Sequence, residues 1–458
     1  MSAIRMLMSV PPRRWASSSM SFSRQIRTLQ TERLAFTVLT YSLLVFCSAS
    51  FAEDTGVFAP DVFTTAIGSQ TQADGSDMRD FLIAIFHALD TAKAGDKPAN
   101  LRDFPYVNGR LFSETADISV PHFTGKARQH LIELGTLNWK DINPDIFGSM
   151  FQAVVTPDQR SDMGQHYTSV PNILKTIEPL FLDELKEEFD AAFDSVKRLN
   201  KLYDRIASIK VFDPACGSGN FLVIAYKELR RLEHSILERM AVLDQKYSVL
   251  WSDSRINIEN FYGIEIDDFA VEIAILSMWI AKHQMNTEFW KKFGNSIPLI
   301  PLKETGRIRS GNAARLDWGS VCPNNGTDEI YVIGNPPYGG AKKLSEGQRE
   351  DYSYVFGERP YSKNLDYIAL WFVKGADYLA NSRASLAFVS TNSVVQGEHV
   401  ALMFPMIFEL GIEIGYAYTS FKWENNAKFN AGVTVVVVGF RSRSNRKNTC
   451  IRKVYGKK

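Results

Sequence analysis

Short apolar runs alternate with long helical patterns between Ile209 and Phe440, and this alternation constrains the fold more than any other feature of the chain. The runs have the length and composition of buried strands. They are IKVFD (209–213), FYGIEI (261–266), EIYVIGN (329–335), ASLAFVST (384–391) and AGVTVVVVGF (431–440). Because parallel strands are joined by helical crossovers, the pattern predicts an α/β fold with a doubly wound, mostly parallel sheet.

The region before Ile209 has a different pattern, since apolar residues there recur mainly at helical spacing, as in Met78–Ala92. Residues 1–30 are rich in Ser, Arg and Met and lack apolar periodicity. We therefore predict a disordered segment at 1–30, a mostly helical domain at 31–155, the α/β domain at 156–440 and a basic tail at 441–458. The tail is either a solvated end or a phosphate-binding strip.

The composition limits the classes of partner and site. Lys and Arg number 52 and Asp and Glu 51, so any nucleic-acid surface has to be a local patch. The four cysteines lie far apart and form no pair at metal-ligand spacing; they are Cys47, Cys216, Cys322 and Cys450. This usage indicates reduced thiols, a cytoplasmic protein and no metal site.

An apolar run at Leu34–Asp54 follows an arginine-rich leader and allows two interpretations. Ser50-Phe51-Ala52 resembles a signal-peptidase site, which would make the run a cleaved signal peptide. The run also contains several Ser and Thr residues, which make it too polar for a good membrane span. We expect a buried helix and no membrane association.

The segment VFDPACGSGNF (211–221) joins the first predicted strand to a helix through a glycine turn. Gly217 and Gly219 allow the backbone to pass close beneath a ligand, near the N-terminus of that helix. Asn220-Phe221 occupies the region where a dinucleotide fingerprint has its third glycine. The turn therefore favours a nucleoside that lacks a pyrophosphate.

Two acidic residues have positions that suit a nucleoside. Glu265 ends the second predicted strand, where a carboxylate commonly accepts hydrogen bonds from both ribose hydroxyls. Asp317 lies in GNAARLDW (311–318) and could accept from an adenine amino group. The alternative for each is a structural role, as a neighbour of a helix cap for Glu265 and as a cap or loop residue for Asp317.

The segment YVIGNPPYGG (331–340) ends a predicted strand on Asn335-Pro336-Pro337-Tyr338. Two consecutive prolines continue neither a strand nor a helix. They hold the Asn335 amide and the Tyr338 ring on a stiff loop beyond the strand. Such a loop is suited to presenting an amide and an aromatic face to a substrate.

Together, DPACGSGNF and NPPY resemble the amino-group DNA methyltransferases that make N6-methyladenine from S-adenosylmethionine. MGQHYTSVP (163–171) resembles the cofactor segment that precedes the glycine loop in the gamma arrangement of that family, and the stretch 420–440 resembles a late segment of it. FGSMFQAV (147–154) and FAEDTGVF (51–58) point to the MmeI-like fused restriction–methylation enzymes. The resemblance extends from about residue 34 to the end of the chain.

This resemblance implies the sheet of the class I S-adenosylmethionine-dependent methyltransferases, preceded by a helical spacer. It implies that Asn335 and the Pro336 carbonyl accept from the adenine amine, and that Tyr338 stacks on an adenine flipped out of double-stranded DNA. Pro337 completes the catalytic loop. The implied cofactor residues are Tyr167, Thr168, Asp213, Ala215, Gly217, Gly219, Asn220, Phe221, Glu265, Ile266 and Asp317.

The sequence departs from the fused enzymes in two respects. Its first Glu-x-Lys, Glu184-Leu185-Lys186, lies in a charged helical stretch that more resembles a solvated face than a nuclease site. Lys458 stands where a target-recognition domain would begin, so we expect the core of a larger enzyme, which a separate or missing recognition domain would complete. The alternatives are an inactive remnant that binds the cofactor only, a protein N5-glutamine methyltransferase and an RNA adenine methyltransferase.

Overall fold

The structure is a computed structural model that describes residues 46, 49–55, 58–59, 61–91, 93–104, 106, 120, 122–139, 168–248, 253–294, 307–340, 344–422, 434–443 and 452–454. The chain divides into two compact units. The first comprises Met1–Asn143 and Pro298–Glu304, and the second comprises Pro144–Ile297 and Thr305–Lys458.

The first unit is helical, as the sequence predicts. Its helices are Val62–Gln70, Met78–Asp90 and Gly125–Gly135, with short 3₁₀ turns at Ala94–Asp96 and Ala99–Leu101. The helix Met78–Asp90 buries Leu82, Ile85, Phe86 and Leu89, which recur at helical spacing. One apolar stripe therefore packs this helix into the core of the unit.

The apolar run at Leu34–Asp54 is described only in part, at Phe46 and from Ala49 onward. Residues 49–54 are helical, and the Phe51 side chain is fully buried. The Glu53 carboxylate accepts hydrogen bonds from the Phe63 N–H (2.5 Å) and the Thr64 hydroxyl (2.5 Å). Among the described residues, no helix has both the length and the apolar character needed to cross a membrane.

The described residues of the second unit form a sheet of eight strands. Their bounds are β1 Lys210–Asp213, β2 Phe261–Glu265, β3 Arg307–Ser310, β4 Ile330–Gly334, β5 Ser385–Thr391, β6 Ile412–Lys422, β7 Thr434–Ser442 and β8 Arg452–Val454. The order of the strands across the sheet is β3-β2-β1-β4-β5-β7-β6-β8. The first five in this order are parallel to one another, and β7 is antiparallel to both β5 and β6. The prediction of a doubly wound, mostly parallel sheet is confirmed.

Helices cover both faces of this sheet. On one face, alternate strand residues such as Phe212, Val332 and Leu386 pack into one apolar cluster with the helices that follow β4 and β5. Val211, Tyr331 and Val389 point to the other face and are also buried. The helices of this unit are Val170–Ile177, Asp183–Ala192, Val196–Ser208, Asn220–Leu243, Asp268–Phe293, Trp318–Val321, Glu346–Phe356, Ala369–Leu379 and Glu398–Glu409.

Three strands were not among the runs identified in the sequence. β3 reads RIRS, and its side chains alternate between exposed and half-buried, so it carries no apolar run. β6 begins after a glycine, and register shifts in its pairing with β7 interrupt the alternation of side chains between the two faces of the sheet. β8, at residues 452–454 of the expected basic tail, pairs in parallel with β6 and extends the sheet.

The second unit contains a long helical stretch that starts at Val170 and continues past Pro179. It passes through a π-helical segment, Glu178–Leu182, between the helices Val170–Ile177 and Asp183–Ala192. Proline lacks the N–H that an α-helix uses at this position, and a wider turn accommodates it. Phe181 of this segment stacks on Tyr331 of β4, with ring centroids 4.6 Å apart, and so packs the stretch onto the sheet.

Candidate active site

The loops that follow β1 and β4 meet at one edge of the sheet. The two strands are parallel neighbours, with Phe212 opposite Val332, so their carboxyl ends coincide. Gly334, the last residue of β4, lies against the side chain of Asp213, the last residue of β1. A Cβ atom at position 334 would lie 2.6 Å from the Asp213 Oδ1, and so only glycine fits there without a shift.

The glycine turn after β1 has the backbone conformation that its sequence predicts. Gly217 and Gly219 have φ angles of 53° and 83°, in the region that side-chain-bearing residues rarely adopt. A Cβ atom at Gly219 would lie 3.1 Å from the Ala274 Cβ, whereas one at Gly217 meets no described atom within 4 Å. The turn therefore packs closely on one side and leaves open space on the other.

Glu265 is held by three backbone donors. Its Oε2 accepts from the Gly217 N–H (2.9 Å), and its Oε1 accepts from the N–H groups of Ile266 (3.0 Å) and Asp267 (3.1 Å). Burial raises the pKa of this carboxyl, while the hydrogen bonds from Asp267 and Gly217 oppose the rise. The side chain links the ends of β1 and β2 and retains acceptor capacity on Oε2.

Asp213 is almost fully buried at the same edge. Its Oδ1 accepts from the Ala215 N–H (2.9 Å), but its Oδ2 has no hydrogen-bond partner within the described parts of the chain. Burial raises the pKa of Asp213 to about 8; the Ala215 N–H lowers it and the charge of Glu265 raises it. An unpartnered buried carboxylate oxygen is costly, and such groups often mark functional sites.

Asn335 follows β4 directly and has a second unpartnered oxygen. Its Nδ2 donates to the Thr168 hydroxyl at 3.4 Å. Its Oδ1 is shielded from solvent and has no partner among the described residues. The structure thus gives Asn335 one occupied donor and one vacant acceptor, close to the Asp213 side chain that packs on Gly334.

The two prolines and Tyr338 complete this loop. Pro336 is buried, and Pro337 and Tyr338 are half-buried. Tyr338 packs against the apolar cluster beneath the sheet. Burial raises the pKa of its hydroxyl to about 12, and a hydrogen bond with Asn335 works in the opposite direction.

Asp366 anchors the end of the Asn-Pro-Pro-Tyr loop, and the sequence analysis did not identify it. Its Oδ1 accepts from the Gly339 N–H at 3.0 Å, and the Tyr367 N–H donates to the Gly339 carbonyl at 3.1 Å. The Asp366 N–H in turn donates to His399 Nε2 at 3.0 Å. The available signal was an aspartate just before the apolar helix that contains Ala369–Leu379.

Asp351 connects this anchor to the loop that follows β3. Its buried carboxylate accepts from the Asn312 amide (3.1 Å), the Arg315 guanidinium (2.5 Å) and the Tyr367 hydroxyl (2.5 Å). Tyr367 is also the residue that bonds to Gly339. The Asp351 carboxylate therefore links residues 312–315 to Tyr367, which holds the end of the Asn-Pro-Pro-Tyr loop through Gly339.

The other predicted cofactor residues take varied positions. Ile266 is 61% exposed beside Glu265, whereas Asn220 and Phe221 are buried in the first turn of their helix. Ala215 is half-buried above the core, and Tyr167 lies outside the described residues. Asp317 caps the short helix Trp318–Val321 by accepting from the N–H groups of Gly319 and Ser320, so the structure shows the capping role, and its contact with adenine stays a prediction.

These residues fit a nucleoside cofactor such as S-adenosylmethionine. Gly217 leaves a Cβ-sized space open, the Asp213 Oδ2 lacks a partner within the described ranges, and Glu265 is oriented by three N–H groups. A diol suits the carboxylate, and an ammonium group or an N–H suits the vacant oxygen. The donor and acceptor set is therefore appropriate for a ribose and an amino-acid tail.

Both the helical part and the α/β part of the chain are similar to known proteins. Residues 189–452, more than half of the chain, match the family described as "MmeI, DNA-methyltransferase domain", and residues 41–112 match "MmeI, helicase spacer domain". DNA methyltransferase A of Bacillus subtilis (strain 168) is 50% identical over 403 residues, which are 87% of this chain and 45% of that protein.

A solved structure agrees with these matches. The type IIL restriction-modification enzyme MmeI in complex with DNA has a TM-score of 0.79 and 39% sequence identity, over 88% of this chain and 54% of that one. The chain therefore spans about half of the length of each of these two relatives. The resemblance drawn from the motifs is confirmed, and the chain belongs to the MmeI DNA-methyltransferase family.

Proposed function

We propose that this chain transfers a methyl group from S-adenosylmethionine to the N6 amino group of adenine in DNA, as the modification component of a restriction-modification system. The observation that carries the proposal is the Asn335 Oδ1, a buried acceptor without a partner in the described structure, at the end of β4. Asn335 directly follows Gly334, whose backbone packs against Asp213 at the end of β1. Membership of the MmeI DNA-methyltransferase family supports DNA as the substrate.

The proposed chemistry starts from the weakness of the nucleophile. The lone pair of an exocyclic adenine amine is conjugated with the ring, and so the amine attacks poorly. The Asn335 Oδ1 and the Pro336 carbonyl would accept hydrogen bonds from its two N–H groups and draw the nitrogen towards tetrahedral geometry, which frees the lone pair. Because the prolines restrict the loop, little further ordering is needed when the base binds.

Other residues of the site would hold the two substrates. Tyr338 would stack on the adenine after it leaves the duplex. Glu265 would accept from the ribose hydroxyls of the cofactor, and Asp213 with the glycine turn would hold its remaining polar groups. The chemistry that S-adenosylmethionine supplies when bound is an electrophilic methyl group on a positively charged sulfur.

Sequence-specific DNA binding would require groups that read base edges, since phosphate contacts give affinity without sequence information. The similar MmeI structure is a complex with DNA, and the part that this chain matches is 54% of it. We propose that double-stranded DNA with a flipped adenine is the partner. A target-recognition domain, on the same polypeptide or on a separate one, would select the site.

The proposal is tested by methyl transfer from labelled S-adenosylmethionine to unmethylated DNA, to RNA and to a glutamine-containing peptide. We expect label in DNA, and we expect Asn335→Ala to abolish it while cofactor binding persists. Asn260→Ala is a matched control, because Asn260 precedes β2 at the opposite edge of the sheet and should leave transfer unchanged. Label in the peptide alone would indicate a glutamine methyltransferase. Cofactor binding without transfer, even when a target-recognition domain is supplied, would indicate an inactive remnant.

A further inference from the structure

Thr168 lies 167 residues before Asn335, yet its hydroxyl is a hydrogen-bond partner of the Asn335 Nδ2, at 3.4 Å. We infer that Thr168 is a positioning residue that holds the Asn335 amide with its oxygen directed towards the acceptor amine. The inference rests on the proposed function, because it assigns Asn335 as the group that touches the substrate. It gives Thr168 a role beyond the cofactor contact expected from the family resemblance.

The two ends of the Asn335 carboxamide differ in hydrogen bonding. An asparagine side chain offers one acceptor oxygen and one donor NH2 group, and an amine substrate needs the oxygen. If the amide turned over, its NH2 group would face the hydrogens of the substrate amine and repel them. A hydroxyl that accepts from Nδ2 opposes that rotation and leaves Oδ1 vacant, as observed within the described residues.

Thr168 is itself firmly held. Its side chain is buried, and it directly precedes Ser169, whose carbonyl accepts from the N–H groups of Asn172 and Ile173 at 3.0 Å. The helix Val170–Ile177 that begins there is fixed at its other end, because the Tyr416 hydroxyl on β6 donates to the Thr176 carbonyl. The hydroxyl is therefore presented to Asn335 from a packed helix start.

The separate measurement of cofactor affinity and turnover distinguishes this role from a cofactor contact. Thr168→Val removes the hydroxyl at nearly constant volume, and Thr168→Ser keeps it. A positioning role predicts that Thr168→Val lowers the transfer rate at saturating cofactor by about 10- to 100-fold, since small misplacements near a reacting group have effects of that size. The affinity for S-adenosylmethionine should change less than about threefold by the same reasoning, and Thr168→Ser should restore the rate.

Thr176→Val provides the control, because Thr176 is a fully buried threonine of the helix that follows Thr168, and its hydroxyl donates to the Asn172 carbonyl. It should leave the rate unchanged. A loss of cofactor affinity in Thr168→Val with a normal rate at saturation would overturn the inference, and so would a serine variant as slow as the valine variant.

A second readout does not depend on activity. In protein with isotope-labelled asparagine, the side-chain amide signals of Asn335 are assigned by their loss in Asn335→Ala. Thr168→Val should shift these signals and speed their exchange with water, whereas Thr168→Ser and Thr176→Val should not. Unchanged signals in Thr168→Val would refute the contact. If Thr168→Val shifts the signals but the wild-type protein methylates no DNA, the contact is upheld and only the proposed function is rejected.

Discussion

The backbone of Gly334 lies against the carboxylate of Asp213, so closely that a Cβ atom at position 334 would be 2.6 Å from Oδ1. Asp213 ends β1, directly before the glycine turn, and Gly334 ends β4, directly before Asn335. The proposed cofactor site and the proposed methyl-acceptor site therefore share one packed contact. A change on either side is expected to affect the other.

Substitution of Gly334 by alanine should destabilise the protein by about 1–3 kcal/mol, because the new methyl group overlaps the Asp213 carboxylate. Denaturant unfolding of the two proteins measures the difference. Gly347→Ala is the control, since a Cβ there meets no described atom within 4 Å. If the contact is the cause, Asp213→Ala should remove part of the cost in the double variant, and strict additivity of the two changes would contradict it.

The buried carboxyl of Asp213 should make stability depend on pH. Its pKa is raised to about 8 in the folded chain, against about 3.9 for an unfolded aspartate. Because the folded state favours the protonated form, the contribution of this group is fully present below the unfolded pKa and is lost as pH rises towards 8. We expect the melting temperature of Asp213→Asn, relative to wild type, to increase between pH 5 and about 8.5, the range set by this linkage. A difference that stays constant with pH would show that Asp213 is ionised when folded.

Glu265 should determine affinity for the cofactor. Calorimetric titration with S-adenosylmethionine and S-adenosylhomocysteine should show binding of both. Glu265→Gln should weaken it by about 10- to 100-fold, because hydrogen bonds to a charged group contribute roughly 1.5–3 kcal/mol. Glu259→Gln, at the other end of β2, is the exposed control. The cofactor assignment fails if folded wild-type protein gives no heat with either ligand.

Asp366 should matter for turnover through the loop that it anchors. Asp366→Ala leaves the Gly339 N–H without its acceptor and frees the end of the loop that carries Asn335. We expect a transfer rate reduced by about 10- to 100-fold with nearly unchanged cofactor affinity, as for other small displacements of reacting groups. Asp377→Ala, which removes an exposed partner of Arg359, should leave the transfer rate and the cofactor affinity unchanged. Equal effects of the two substitutions would argue against an anchoring role.

Five strands of the sheet could be predicted because each is a compact apolar run next to a turn or helix signal. Two of the other three depend on pairing: RIRS becomes β3 through its register with β2, and residues 452–454 become β8 beside β6. Neither segment has the apolar pattern of a buried strand. Edge strands of this kind are specified by the neighbour that they extend.

The residues of the candidate site also divide into those that local sequence predicts and those that depend on distant partners. The glycine turn, Glu265 and the Asn-Pro-Pro-Tyr loop are local motifs with a physical reason for each residue. The contacts of Asn335 with Thr168 and of Gly339 with Asp366 join residues that are 167 and 27 positions apart. No local pattern encodes such pairs, and so these two contacts emerged only from the structure.

The identity of the methylated nucleoside tests the central claim most directly. DNA incubated with the wild-type chain and S-adenosylmethionine, with a target-recognition domain supplied if the chain alone is slow, is digested to nucleosides and analysed by mass spectrometry. The account predicts N6-methyldeoxyadenosine, and none with Asn335→Ala. Methylated cytosine as the product, or N6-methyldeoxyadenosine at undiminished yield from Asn335→Ala, would contradict it.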